Sequence, residues 1–424
     1  MFRDYITHFE NKPKYYSEVI QSVVDEFEKW GSLNLPIIDK TNPKYNLNFS
    51  NKLPYDNSLY LVKVGFEVLN TENQVDLEVL DYEKVNVKVS KNLVEAGFFV
   101  KDLYLSVISN SDFVNSNFLS IVDPNDSMFF GYGILFIKAG ILVYIPKDIG
   151  KVNINIDKRF TKGKNGALYN MLYIDSGNDV NVFESISSSG DEPKFIFEFS
   201  EILVKDGSNV NFHYLQNNDL NTEYFVSRKV VPFGNNNIEF NTVSLGSLYQ
   251  REENRIFMKG PNVETKYTCI YFTSDSKRYD LIANIRHGNS SQGADVITKG
   301  VLDDKSKVYF NGVLKVDKGL KHINSFLGGH SLHLSSECKS DSVPSLEVDS
   351  FDVKSGHAAS FTQLDEEKLF YMMSRGLSEE EARKAIVYGF IEGAIRRISN
   401  EEFKAKIREL LIRKGLELPL EVEY

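Results

Sequence analysis

Cysteine is nearly absent: 424 residues contain two, Cys269 and Cys338. That excludes a disulfide framework, and also a four-cysteine iron–sulfur or zinc site held by this chain alone. Cations are in deficit, 49 Lys and Arg against 59 Asp and Glu, for a net charge of -10. No basic run interrupts the acidic balance, so nucleic acid is not an expected partner. The start of the chain carries Asp4 and no apolar stretch of signal-peptide type, which predicts a cytoplasmic protein. Catalytic signatures are missing too. No Gly-rich loop ends in Gly-Lys-Ser or Gly-Lys-Thr, and neither a Gly-x-Ser-x-Gly elbow nor a His-Glu-x-x-His pair occurs. The acidic clusters Asp303-Asp304 and Glu379-Glu380-Glu381 read as a turn and as the first turn of a helix. The expectation is a protein that is not an enzyme.

Long hydrophobic runs are also scarce. The longest, Met128 to Ile145, holds a single charge, Lys138, and is long enough to be weighed as a membrane span. Gly131, Gly133 and Gly140 interrupt it, and β-branched and aromatic residues fill much of the rest. Two buried strands, Ile134–Ile137 and Ile141–Ile145, joined at Ala139-Gly140, fit better than a helix, so no membrane partner is expected.

What is present falls into three parts. Val19, Ile20, Val23, Val24, Phe27 and Trp30 share one helical face, with Gly31 as a C-cap, and a Pro- and Asn-rich connection follows; residues 1–57 therefore read as a helical segment and linker. Residues 58–362 read as a β-rich core. Short alternating runs such as Val152-Asn-Ile-Asn-Ile recur between Asn, Asp, Gly and Ser clusters. Two segments resemble each other, Asp175-Ser-Gly-Asn-Asp-Val-Asn-Val-Phe and Asp206-Gly-Ser-Asn-Val-Asn-Phe, placing Val180 and Val210 in equivalent positions. A recurring turn-then-strand unit suits a solenoid, though spacing alone leaves a sandwich or propeller open. Residues 363–424 read as helical. Asp365 caps a first helix closed by Gly376, Ser378-Glu-Glu-Glu381 is a capping box for a second, and Ser399-Asn-Glu-Glu402 is a capping box for a third.

Chemistry could gather in one window. His322, His330, His333 and His357, four of the seven histidines, lie there with Cys338. Imidazole and thiolate are ligands that iron and zinc accept. His330 and His333 are three apart, so on one strand they point to opposite faces.

The residues become specific at the end of the β-core. Leu346-Glu347, Asp352-Val353-Lys354, His357-Ala358, Leu364-Asp365-Glu366-Glu367, Leu369-Phe370-Tyr371, Ser374-Arg375-Gly376 and Glu381-Ala382-Arg383 resemble the SufB/SufD family of iron–sulfur cluster assembly scaffolds. Lys299-Gly-Val-Leu with Phe310-Asn-Gly-Val-Leu-Lys-Val, and Ile145-Pro146-Lys147, are similar to further elements of that family. The resemblance is clear over roughly the last 130 residues and faint back to about residue 120.

Membership would imply a right-handed parallel β-helix flanked by N-terminal and C-terminal helices. It would also imply a cytosolic complex with a SufC-type ABC ATPase and with a SufB/SufD paralogue or a second copy of the chain. The implied cargo is a transient iron–sulfur cluster shared with the partner protomer, none being tightly bound by this chain alone. Cys338 stands where SufB proteins carry a cysteine, and His357 on a histidine common to both branches. His330 and His333 are weaker metal candidates. The glutamate that follows this histidine in SufB is Ala358 here, the SufD cysteine two residues before it is Ser355, and Gly329-His330 replaces the family's Asn-Arg. The chain thus matches neither branch in full. ATPase docking would fall on the C-terminal helices, where Leu369, Phe370, Tyr371, Met373, Arg375, Ile386, Tyr388 and Phe390 exceed what one buried face requires. The expected role is a non-catalytic scaffold subunit; the alternative is a structural adaptor that touches neither iron nor sulfur.

Overall fold

The computed structural model describes residues 63–102, 112–117, 120–121, 137–163 and 165–414. The helix expected over Val19–Trp30 lies outside them. Strands β1 (Lys63–Leu69), β2 (Gln74–Leu80) and β3 (Lys84–Ser90) are followed by helix α1 (Lys91–Glu95), β4 (Phe99–Asp102) and α2 (Asp112–Asn117). Sixteen strands then alternate between two sheets. They begin with β5 (Ile137–Ile145), β6 (Gly150–Phe160), β7 (Gly166–Ile174), β8 (Asn178–Ser188), β9 (Lys194–Val204), β10 (Asn209–Gln216), β11 (Thr222–Pro232) and β12 (Asn237–Ser244). They continue with β13 (Tyr249–Met258), β14 (Glu264–Thr273), β15 (Arg278–His287), β16 (Gln292–Leu302), β17 (Lys307–Val316), β18 (Lys321–His333), β19 (Lys339–Val348) and β20 (Asp352–Gln363). Helices α3 (Glu366–Ser374), α4 (Glu379–Ile395) and α5 (Glu401–Arg413) follow.

Even-numbered strands from β6 to β20 stack in one sheet, which β1, β3 and β2 extend; odd-numbered strands from β19 back to β5 form the other, ending at β4. Successive coils pair in parallel, and among the described residues antiparallel pairing occurs only between β2 and β3 and between β4 and β5. The result is a parallel β-solenoid of about eight turns. No helix interrupts the stretch from Lys194 to Val316.

Alternation builds this architecture. In β8, Val180, Val182 and Ile186 are buried while Asp179, Asn181 and Phe183 face outward. Val180 pairs in register with Val210, so the thirty-residue repeat is one coil of the solenoid. One inward row runs through nearly the whole length: Val75, Ile154, Val182, Phe212, Phe240, Tyr267, Val296 and Leu327, level with His357 on the last strand. Each of these apolar side chains contributes roughly 1.5–3 kcal/mol by burial. Outside, Asn211 donates its amide to Asn181 (2.9 Å) and Asn181 to Asn153 (3.0 Å), a polar row that uses the same stacking.

Helices α4 and α5 fold back on the outer face of the longer sheet. Ile391 and Ile395 of α4 and Phe403, Ile407 and Leu411 of α5 pack with Val243, Ile270 and Val301. Lys299 stitches the layers, its Nζ donating to the Phe390 carbonyl at 3.3 Å and sitting 4.8 Å from the Phe390 ring centre. Asp365 caps α3 by accepting from the Glu367 and Lys368 amides, and Ser378 and Glu381 form the expected box at α4. At α5 the expectation is corrected. Asn400, not Ser399, is the N-cap and accepts from the Phe403 amide at 2.8 Å; the Ser399 amide is already taken by the Glu239 carboxylate at 2.8 Å. A second correction concerns the hydrophobic run. Ile137–Ile145 is one strand with a bulge between Ile137 and Ala139 rather than two strands broken at Ala139-Gly140, because Ala139 and Gly140 continue the pairing with β7. Residues 128–136 lie outside the described ones. No helix among the described residues is long and apolar enough to cross a membrane.

Candidate functional site at the terminal coil

The terminal coil, β19 and β20, closes neither sheet: both strands are outermost. His357 occupies the inward position of β20, level with Leu327, yet it is exposed because no further coil among the described residues covers it. Cys338 sits in the corner that leads into β19. It belongs to the apolar core, is 5 % exposed, and its Sγ lies 3.1 Å from the Ser335 carbonyl oxygen. Burial pushes its thiol above the ordinary range, which favours the protonated form.

The two candidates share one coil but do not touch through it. His357 is level with Leu327, six residues before the end of β18, and Cys338 follows that end; six residues of strand span roughly 20 Å. The weaker candidates are scattered as the three-residue spacing demands. His330 points outward and its Nδ1 lies 2.8 Å from Ser360 Oγ, whereas the His333 Nε2 lies 2.6 Å from Ser340 Oγ on the opposite sheet. Burial lowers the pKa of both, Lys299 adding to the effect at His330. His322 sits at the bulge that opens β18, 3.1 Å from an Asp352 carboxylate oxygen. Among the described residues no three His, Cys, Asp or Glu side chains converge as a metal site.

Next to the coil, α3 buries no residue: Phe370 is 72 % and Tyr371 59 % exposed, with Met373 also in solvent. Arg375 lies over the Tyr371 ring at 5.2 Å, and Leu369 is half-buried. On α4, Ile386, Tyr388 and Phe390 are half-buried. Phe390 is engaged by Lys299, and burial together with Glu392 raises the Tyr388 phenol. The surplus of apolar surface therefore sits on α3.

Sequence reasoning missed an ionic cluster inside the solenoid. Lys158, buried to 1 %, bonds Glu198 and lies 2.9 Å from Glu184; Arg228, wholly buried, lies 3.6 Å from Glu252 and 3.9 Å from Glu184. The signal was parity. Glu184 falls on the same alternation as Val180, Val182 and Ile186, so its side chain must enter the core.

The chain is a parallel β-solenoid with a terminal coil whose two strands are outermost, and with helices folded back on one sheet. The family model for the SUF system FeS cluster assembly SufBD core domain matches residues 160–390, and the chain belongs to that family. It is 24 % identical to the iron-sulfur cluster assembly protein SufD of Bacillus subtilis over 97 % of both chains. It is also 27 % identical to SufBD family proteins of Staphylococcus saprophyticus and Staphylococcus epidermidis, over 73 % of this chain and 67 % of theirs.

Two glycines of the core have a physical reason. A Cβ on Gly300 would fall 2.0 Å from the Tyr271 ring, and one on Gly312 would meet Leu327 at 2.6 Å. Both are places where a large side chain crosses the neighbouring coil.

Proposed function

We propose that this chain is a non-catalytic scaffold subunit of the SUF complex, working in the cytoplasm. It pairs with a SufB/SufD paralogue or a second copy of itself through the open terminal coil. It docks a SufC-type ABC ATPase through α3 and the adjoining part of α4. Cys338 and His357 are the ligands it offers to a nascent iron–sulfur cluster, with the partner completing the set. One observation carries this reading: His357 ends the inward row at an uncovered coil, so its imidazole is available to whatever closes that end. One soft and one borderline ligand are too few to hold a cluster without help. The second reading, a structural adaptor, is favoured by the buried, protonated thiol of Cys338.

The deciding experiment uses the complex with partner and ATPase. Cys338→Ser and His357→Ala should assemble like the parent but lose cluster loading when iron and sulfide are added anaerobically, read by visible absorbance. If both load as the parent does, the adaptor reading replaces the scaffold reading.

A further inference from the structure

At the corner after each strand of the second sheet, one residue donates its amide to the last residue of the strand one coil before. Lys205 donates to Ile174, Phe233 to Val204, Lys259 to Pro232 and Gly288 to Met258, so the four stand in one column, coil on coil. Asp175 and Asp317 hold the equivalent places at its two ends. Inside the column the charges are not paired. The Lys205 Nζ lies 4.2 Å and the Lys259 Nζ 5.6 Å from the centre of the Phe233 ring, and among the described residues neither forms an ion pair with a carboxylate. Lys205 also lies 5.2 Å from the Tyr173 ring and Lys259 5.5 Å from the Phe257 ring. Phe257 leans over Gly288, where a Cβ would fall 2.5 Å from the ring. The carboxylates of this corner are engaged elsewhere. Asp175 accepts from the Tyr144 phenol at 3.2 Å, Asp206 from the Asn235 amide at 2.8 Å, and Asp317 from Arg286 at 2.9 Å. Burial lowers the Lys205 ammonium against the pull of Asp175, and Lys259 lowers it further; an anion seated beside both lysines would oppose that effect.

We propose that this corner, Lys205, Phe233 and Lys259 with Phe257 beside them, is a docking strip for an acidic, extended segment of a partner protein. Each ammonium rests on a ring and keeps hydrogen-bond donors free, so the strip offers two cations on an apolar floor. Coils stack roughly 4.8 Å apart, which sets the two lysines about 10 Å from each other along the solenoid. Carboxylates two residues apart on an extended segment stand about 7 Å from each other, a spacing that two flexible lysine stems can meet. An apolar residue between the carboxylates would lie toward the rings. The occupant is a short peptide rather than a nucleic acid because the column turns acidic at both ends, at Asp175 and Asp317, and a continuing phosphate backbone would meet those charges. The strip lies three coils before the terminal one, so its failure would leave the scaffold reading untouched.

The test labels lysines of the full chain with an acetylating reagent and reads each site by mass spectrometry. The probe is a capped peptide containing Glu-Leu-Glu, used at millimolar concentration because exposed ion pairs are individually weak. Its Gln-Leu-Gln twin, inorganic phosphate and a single-stranded oligonucleotide are the other arms. Labelling of Lys205 and Lys259 should fall about threefold with the acidic peptide, as mass action requires of a mostly occupied site. Labelling of Lys318 and Lys354, exposed lysines with no ring partner, should not change. The twin should protect neither lysine, and high salt should remove the protection. Lys259→Gln, an exposed substitution that leaves the core alone, should abolish protection of Lys205 by the same peptide. Equal labelling with and without the acidic peptide overturns the inference. So does protection by phosphate or by the oligonucleotide that matches the peptide's, because the strip would then bind anions without choosing a peptide.

Discussion

Tyr271 Oη lies 2.9 Å from Ser331 Oγ, although the two residues stand on coils separated by a third. The phenol reaches across because the residue between them, Gly300, has no side chain. A methyl group there would enter the ring, and the packed interior leaves the ring no room to yield. Gly300→Ala should cost about 1–3 kcal/mol of stability. Chemical denaturation would show it as a lower midpoint, and adding Tyr271→Phe should not restore the loss, since ring volume and not the hydroxyl is the obstacle.

The inner ionic cluster makes two opposite predictions from neighbouring groups. Burial raises the Glu184 carboxyl, Lys158 opposes, and the charge of Glu198 raises it further. A carboxyl with a raised folded value stabilises most below the ordinary carboxylate range, and its contribution is lost as pH rises through the folded value. Glu184→Gln should therefore raise the melting temperature at pH 8 and flatten its decline with pH. Lys158→Met removes the cation between two carboxylates and should destabilise by about 3–5 kcal/mol. Equal effects of the two substitutions would contradict this account of the cluster.

How far the sequence speaks depends on the distance over which each feature is decided. The caps at Asp365 and Ser378 are settled within four residues, and both were readable. The repeat was readable from Val180 and Val210 because a solenoid writes its period into the chain, while its identity as a solenoid coil came from the family resemblance. The start of α5 was not, since the Ser399 amide is claimed by Glu239, 160 residues away in sequence. The partners of Lys158 come from two different sheets and are fixed only when coils stack. The candidate site was half legible. Residue types gathered four histidines with Cys338, and the family resemblance picked Cys338 and His357 from them, but only the register shows that one is buried at a corner while the other faces an open end.

Acid should reveal two further buried groups. Burial lowers His213 to about 4 and His287 to about 4, against weaker raising effects from Glu239 at the first and from Gln292 and Asp317 at the second. A folded value below the ordinary ~6.5 means that the unfolded chain binds the proton first. The stability these residues give is present above pH ~6.5 and is lost as pH falls toward 4, at up to about 1.4 kcal/mol per pH unit for each. Urea midpoints measured from pH 7 to pH 5 should fall along that slope. Replacing both histidines with glutamine should flatten it over this interval, and an unchanged slope would mean that other groups set the acid response.

The last prediction separates docking from folding on α3. Phe370 and Tyr371 are mostly in solvent and α3 buries nothing, so neither ring contributes much to the stability of the free chain. Surface substitutions of this kind usually change stability by no more than about 0.5 kcal/mol. Large exposed aromatics are also the residues that dominate binding when a partner covers them. Phe370→Ser combined with Tyr371→Ser should leave the thermal unfolding curve in place and abolish co-purification with the SufC-type ATPase. Pairing with a SufBD-family partner, proposed above to use the open coil, should persist in the same variant. If the ATPase still co-purifies, its docking surface lies elsewhere. If the variant instead loses stability, the rings pack against the fold and are not a free surface.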